Sequence, residues 1–191
     1  MNAPLLTYRM TCEQFLEWVD AREALLPYDE PKWELFDGIP EMQEHEKWVH
    51  ARRKYTVTKV VEASIAAASL AYEIGIDGLG VRIGPAESYQ PEVVVFPKGL
   101  IKDDDRYAPE PIIVVEVLSP SSRNKDLRIK AEGYAKVASI KHYLVVDPDA
   151  RQLLPYARLG DQLVPGETAL AAGSLLLEPP GLVLDVAALL V

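Results

Sequence analysis

Three apolar runs dominate the pattern of hydrophobic and polar positions. Five of the six residues from Ile112 to Val117 are β-branched aliphatics with no period of two, which predicts a strand covered on both faces. Tyr89–Pro97, with its Val93-Val-Val-Phe96 run, and His142–Asp147 predict two further buried strands. Helical spacing comes between them. Thr11 and Gln14 form a capping box ahead of Phe15, Leu16, Val19 and Leu25, predicting a helix over 11–24. A long helix is expected over 46–72, its apolar stripe drawn from Val49, Val57, Val60, Val61, Ile65, Ala68 and Ala71, and its Ala-rich end close against the sheet. A third helix, over 125–138, follows a polar turn in which Ser122 or Asn124 is the cap.

Shorter elements fill the gaps. Trp33-Glu-Leu-Phe reads as a strand entering a tight turn at Asp37-Gly38. Residues 74–83 predict one or two short strands with turns at Gly75, Asp77-Gly78 and Gly80, and 98–109 an exposed polar loop. After residue 151 short apolar runs alternate with turns. Strands interleaved with helices indicate an α/β class. With 191 residues and 49% hydrophobic content, a single domain over 1–191 is expected, with a core at about 11–150 and the strands of 151–191 packed on it.

No apolar stretch has the length and purity of a membrane span, and the N-terminus lacks a basic segment followed by an apolar core, so a soluble cytoplasmic protein is expected. The single Cys12 has no partner for a disulfide or a metal and reads as a reduced small hydrophobe. The net charge of −9 excludes a protein that coats nucleic acid by bulk electrostatics. The charge is uneven. Residues 1–50 hold eleven acids against four bases, whereas 121–142 hold six bases against two acids, so Arg123, Lys125, Arg128 and Lys136 are where a polyanion would be felt.

The buried strands carry the chemistry. Glu116 lies inside one and Glu92 opens another, and a lone buried carboxylate costs several kcal/mol unless it is paired, protonated or on a cation. Magnesium takes one or two carboxylates and keeps water and phosphate oxygens in its other positions, so Glu92 and Glu116, with the Val117 backbone carbonyl, suffice as a donor set. A lysine within reach would stabilise charge developing on a phosphate. Asp126, Lys130 and Tyr134 are spaced by four and share a helix face; the bland alternative for Asp126 and Lys130 is a surface ion pair. Glu34 is either a solvent-facing strand residue or an extra acid at the site, and His50 either an exposed or capping residue or a site group. Asp103-Asp-Asp105 reads as a solvated run.

Taken together, Trp33-Glu34-Leu-Phe-Asp37-Gly38, the helix-opening His50, Tyr89-x-Pro91-Glu92-Val-Val-Val, Val-Val-Glu116-Val-Leu-Ser-Pro120, Asp126-x-x-x-Lys130-x-x-x-Tyr134 and Tyr143-Leu-Val-Val-Asp147-Pro resemble the bacterial "putative restriction endonuclease" family, abundant in cyanobacteria, of the PD-(D/E)XK nuclease superfamily. The resemblance runs from about Thr11 to the C-terminus. It implies a restriction-endonuclease-like fold, a mixed central sheet flanked by helices, and Mg2+- or Mn2+-dependent hydrolysis of DNA. Glu116 matches the central acid, Glu92 the acid after proline, and Lys130 the lysine that this family carries on the following helix, position 118 being Leu. Glu34 and His50 match accessory positions, and Tyr134 the helix tyrosine.

The family usually has Asp where this chain has Glu92, and one extra methylene lengthens the ligand by about 1.5 Å. Weak cutting is therefore expected. A second reading is a catalytically impaired nuclease-fold protein that binds nucleic acid or a protein partner. A third, a purely structural domain, requires Glu92 and Glu116 to be paired with Lys or Arg. Cutting both strands of a duplex with one site per chain implies a homodimer.

Overall fold

Ile113–Val117 is a strand, and all five of its residues are buried. It lies inside a six-stranded sheet in a computed structural model that describes residues 9–25, 31–43, 47–76, 78–119 and 125–190. Arg123, Asp77 and the caps expected at Ser122 or Asn124 lie outside the described residues, as does the side chain of Asp126.

In chain order the elements are α1 (Cys12–Leu25), β1 (Trp33–Phe36), β2 (Ile39–Met42), α2 (Trp48–Ala67), β3 (Tyr72–Ile76), β4 (Val81–Gly84), β5 (Glu87–Tyr89), β6 (Val93–Pro97) and β7 (Ile113–Val117). A π-helical segment, Lys125–Lys130, continues into α3 (Ala131–Ala135) and leads to β8 (His142–Asp147), β9 (Gln152–Leu159), β10 (Gln162–Pro165), β11 (Ser174–Leu177), β12 (Leu182–Asp185) and α4 (Val186–Leu189). The main sheet has the order β10-β9-β8-β7-β6-β3. Only β7 and β8 pair in parallel, the connection between them carrying α3, so the sheet is mixed as expected.

Side chains alternate across this sheet, which explains why its central strands are apolar throughout. Val93, Val95, Ile113, Val115 and Val117 face α2, β12 and α4; Val94, Phe96 and Val114 face α3 and a second, four-stranded sheet, β2-β1-β5-β4. From α2, Val57, Val61 and Ile65 enter the first layer, each burial stabilising by about 1.5–3 kcal/mol. The Ala-rich end of that helix does not pack on the sheet: Ala63, Ala66, Ala67 and Ala68 are exposed, because the 3.6-residue period turns only Val61 and Ile65 inward. Alanine serves helix propensity there.

Two strand expectations change. Tyr89–Pro97 is not one strand: Tyr89 ends β5 in the small sheet and Val93 opens β6 in the large one, with Gln90, Pro91 and Glu92 between. Pro91 has no N–H for a ladder, which favours the break. Gly75 lies inside β3 instead of at a turn, and a Cβ there would collide with the Leu79 side chain. Asp37 and Gly38 do form the expected turn, with φ of 48° and 78°, the left-handed pair of a type I′ hairpin. The C-terminal runs split, β9 and β10 extending the main sheet while β11 and β12 form a separate hairpin whose Leu177, Leu182 and Leu184 join the α2 layer. Cys12 is buried and reduced. Among the described residues no helix is long and apolar enough to cross a membrane.

Candidate active site

The two acids belong to neighbouring strands, Glu116 in β7 and Glu92 just ahead of β6. β6 and β7 run antiparallel with Val93 opposite Val115. Glu116 faces the α3 side of the sheet, away from Val115 and Val117. There it is almost wholly enclosed, its side chain 3% exposed.

The helix after β7 supplies its partners. Lys130 Nζ lies 2.9 Å from Glu116 Oε1, and the Tyr134 hydroxyl donates to the same oxygen at 2.9 Å. Positions four apart on one helix face converge on one carboxylate, as their spacing predicts. The surface ion-pair alternative for Lys130 falls, since Lys130 is buried. Its ammonium also lies 3.0 Å from Glu34 Oε1, which in turn accepts the Gln90 N–H at 2.9 Å. Glu34 is 4% exposed, so its solvent-facing reading falls as well. Burial and the neighbouring Glu116 charge hold Tyr134 well above the usual phenol range, so it is a protonated donor.

Tight packing fixes this cluster. Tyr134 sits edge-on to Tyr89 at 5.5 Å and beside Tyr143 at 5.1 Å. Tyr89 passes directly under Gly133, where an added Cβ would collide with its ring. The small residue lets the helix approach closely enough for Lys130 and Tyr134 to reach the strand.

Glu92 has a different partner. Lys54 Nζ lies 2.7 Å from its Oε2, the two side chains being 11% and 18% exposed. Burial pushes the Glu92 carboxyl above the usual carboxylate range, against the pull of the Lys54 ammonium. One turn earlier on α2, His50 Nε2 lies 2.8 Å from the Val117 carbonyl oxygen. A carbonyl only accepts, so Nε2 carries the hydrogen. His50 is half-buried and the helix N-cap is Lys47, so its exposed or capping reading does not hold.

Sequence reasoning missed Lys54. A signal existed, because positions 50, 54, 57, 61 and 65 form the inward stripe of α2 and a lysine among valines is out of place there. The pairing that the purely structural reading requires is therefore present, Glu116 with Lys130 and Glu92 with Lys54. The enclosed cluster, among the described residues, sets three carboxylates, Glu34, Glu92 and Glu116, around the ammonium groups of Lys54 and Lys130. Among the described residues no three His, Cys, Asp or Glu side chains gather as a ready-made metal cage. The hard oxygen donors Glu92, Glu116 and Val117 still fit an ion that keeps most of its water.

The predicted basic patch is partly engaged. Lys125 pairs with Glu41 at 2.7 Å and stacks over Phe36, and Lys136 pairs with Glu87 at 2.6 Å, while Arg128 is exposed. Asp103, Asp104 and Asp105 are exposed, as a solvated run should be.

The fold has a solved counterpart. A crystal structure described as "a putative nuclease belonging to DUF820", from Anabaena variabilis ATCC 29413, superposes with a TM-score of 0.70 at 16% identity, covering 95% of this chain and 97% of that one. A search of curated proteins gave no match. The model of the family Uma2, described as "Putative restriction endonuclease", matches residues 12–187. With all but the ends of the chain matched, this protein belongs to the Uma2 family.

Proposed function

We propose that the protein is a divalent-metal-dependent endonuclease that hydrolyses phosphodiester bonds of DNA, acting in the cytoplasm as a homodimer of single-domain chains. The observation that carries this reading is the buried Glu116 held by Lys130 from the next helix, with Glu92 just ahead of the neighbouring strand β6. Glu92, Glu116 and the Val117 carbonyl would hold Mg2+ or Mn2+. Such an ion, when bound, polarises the phosphate and lowers the pKa of water. The chain's own groups do the rest. Lys130 offers an ammonium for negative charge building on the phosphate oxygens as the water O–P bond forms and the P–O bond to the leaving strand breaks. Tyr134 and Lys130 fix the Glu116 carboxylate, Glu34 holds Lys130, and His50 aligns the Val117 carbonyl.

The second reading, a nuclease-fold binding protein that cuts poorly, is favoured by the Lys54–Glu92 pair and by Glu in place of Asp at 92. Supercoiled plasmid with Mg2+ or Mn2+ separates the two. Wild type is expected to nick slowly and Glu92→Asp to cut about tenfold or more faster, an ångström-scale change in ligand position being worth that much in rate. Cutting by Glu92→Asp alone would establish the second reading, and silence in both would contradict the nuclease.

DNA is expected to bind weakly along residues 121–142, displacing Glu41 from Lys125 and Glu87 from Lys136. Changing Lys125, Arg128 and Lys136 together to Ala should weaken binding about tenfold or more near 0.1 M salt and reduce the slope of log K against log salt by about 2–3. Fluorescence anisotropy on a duplex checks this; unchanged affinity would place the contact elsewhere.

A further inference from the structure

Each member of the candidate donor set already has a partner from the chain. His50 takes one lone pair of the Val117 carbonyl. Tyr134 and Lys130 meet Glu116 at a single oxygen, Oε1. Lys54 sets a full positive charge on Glu92, the more accessible of the two acids. It does so from a rigid base. Lys54 lies on the inward stripe of α2, one turn from His50 and one from Val57, which is locked in the core with Val61 and Ile65. At 2.7 Å, with both side chains largely withdrawn from water, the pair is poorly screened.

We propose that Lys54 is a built-in counterion that competes with a divalent cation for Glu92 and thereby sets the metal affinity of the site, an inference that rests on the metal-nuclease reading above. A dication on Glu92 would stand a few ångströms from the Lys54 ammonium, and at that range unscreened repulsion outweighs the loss of one hydrogen bond. The bend that carries Glu92 ahead of β6 lets α2 reach an acid whose neighbour Glu116 is served from α3 on the other side of the sheet. Helix α2 thus guards one acid while α3 orients the other.

The test is Mn2+ binding to the full chain at pH 8, followed by loss of the free-ion electron paramagnetic resonance signal. Lys54→Met is expected to tighten binding about tenfold or more, because the competing charge is gone. Lys54→Arg keeps the charge and should stay near wild type, and Glu92→Gln added to Lys54→Met should cancel the gain. Lys54→Gln serves as a second neutral variant if Lys54→Met does not fold. Equal affinity in wild type and the folded neutral variant would overturn the proposal, as would a gain that survives Glu92→Gln. The two readings fail separately: tightened Mn2+ binding without cutting in any variant contradicts the nuclease and upholds the counterion, whereas plasmid cutting without tightened binding does the reverse.

Discussion

Replacing Lys130 by Met is expected to destabilise the protein by about 3–5 kcal/mol, the usual consequence of removing one partner from a buried ion pair. Two carboxylates depend on this ammonium, Glu116 at 2.9 Å and Glu34 at 3.0 Å, and all three side chains are at most 6% exposed. Without Lys130 neither acid can turn to water. Tyr134 still donates to Glu116 and the Gln90 N–H to Glu34, but neutral donors do not offset two buried charges. For a chain of this size the loss lowers Tm by roughly 6–20 °C. Neutralising all three, with Glu34→Gln, Lys130→Met and Glu116→Gln together, should recover most of it, since removing a buried ionic cluster whole is far milder than breaking it. Thermal unfolding followed by circular dichroism decides; a loss under about 1 kcal/mol from Lys130→Met alone would mean that the cluster is solvated.

Much of this arrangement was legible before the structure. The β-branched residues around Glu116 between Ile112 and Val117 announced a strand buried on both faces, and the carboxylate among them required a partner. The four-residue spacing of Lys130 and Tyr134 announced their shared face, and both meet one oxygen of Glu116. What stayed hidden depended on tertiary context. Burial of Lys130 depended on which face of its helix the sheet covers, so it also read as half of a surface ion pair, and the stripe position of Lys54 was masked by the neighbouring Arg52 and Arg53. The split at Pro91 was hidden too, because Tyr89 and Val93 suit strands equally well and only the pairing of two sheets parts them. Glu34 is buried because β1 pairs with β5 beneath the helix after β7, a contact between segments more than fifty residues apart.

Glu116→Gln should abolish cutting at little cost in stability. The amide keeps the shape of the side chain and an oxygen able to accept from Tyr134 and Lys130, and Lys130 retains Glu34, so the change in unfolding free energy should stay near about 1 kcal/mol. Chemistry has no such substitute. The amide has no charge to offer a divalent ion, which on the proposed reading should reduce the rate by about 10³-fold or more. The decisive measurement is nicking of supercoiled plasmid in Mn2+ by wild type and Glu116→Gln at equal purity, with matched unfolding curves showing that both are folded. Nicking by wild type that vanishes in Glu116→Gln is the predicted result; equal nicking by the two would place the activity outside this site and contradict its assignment.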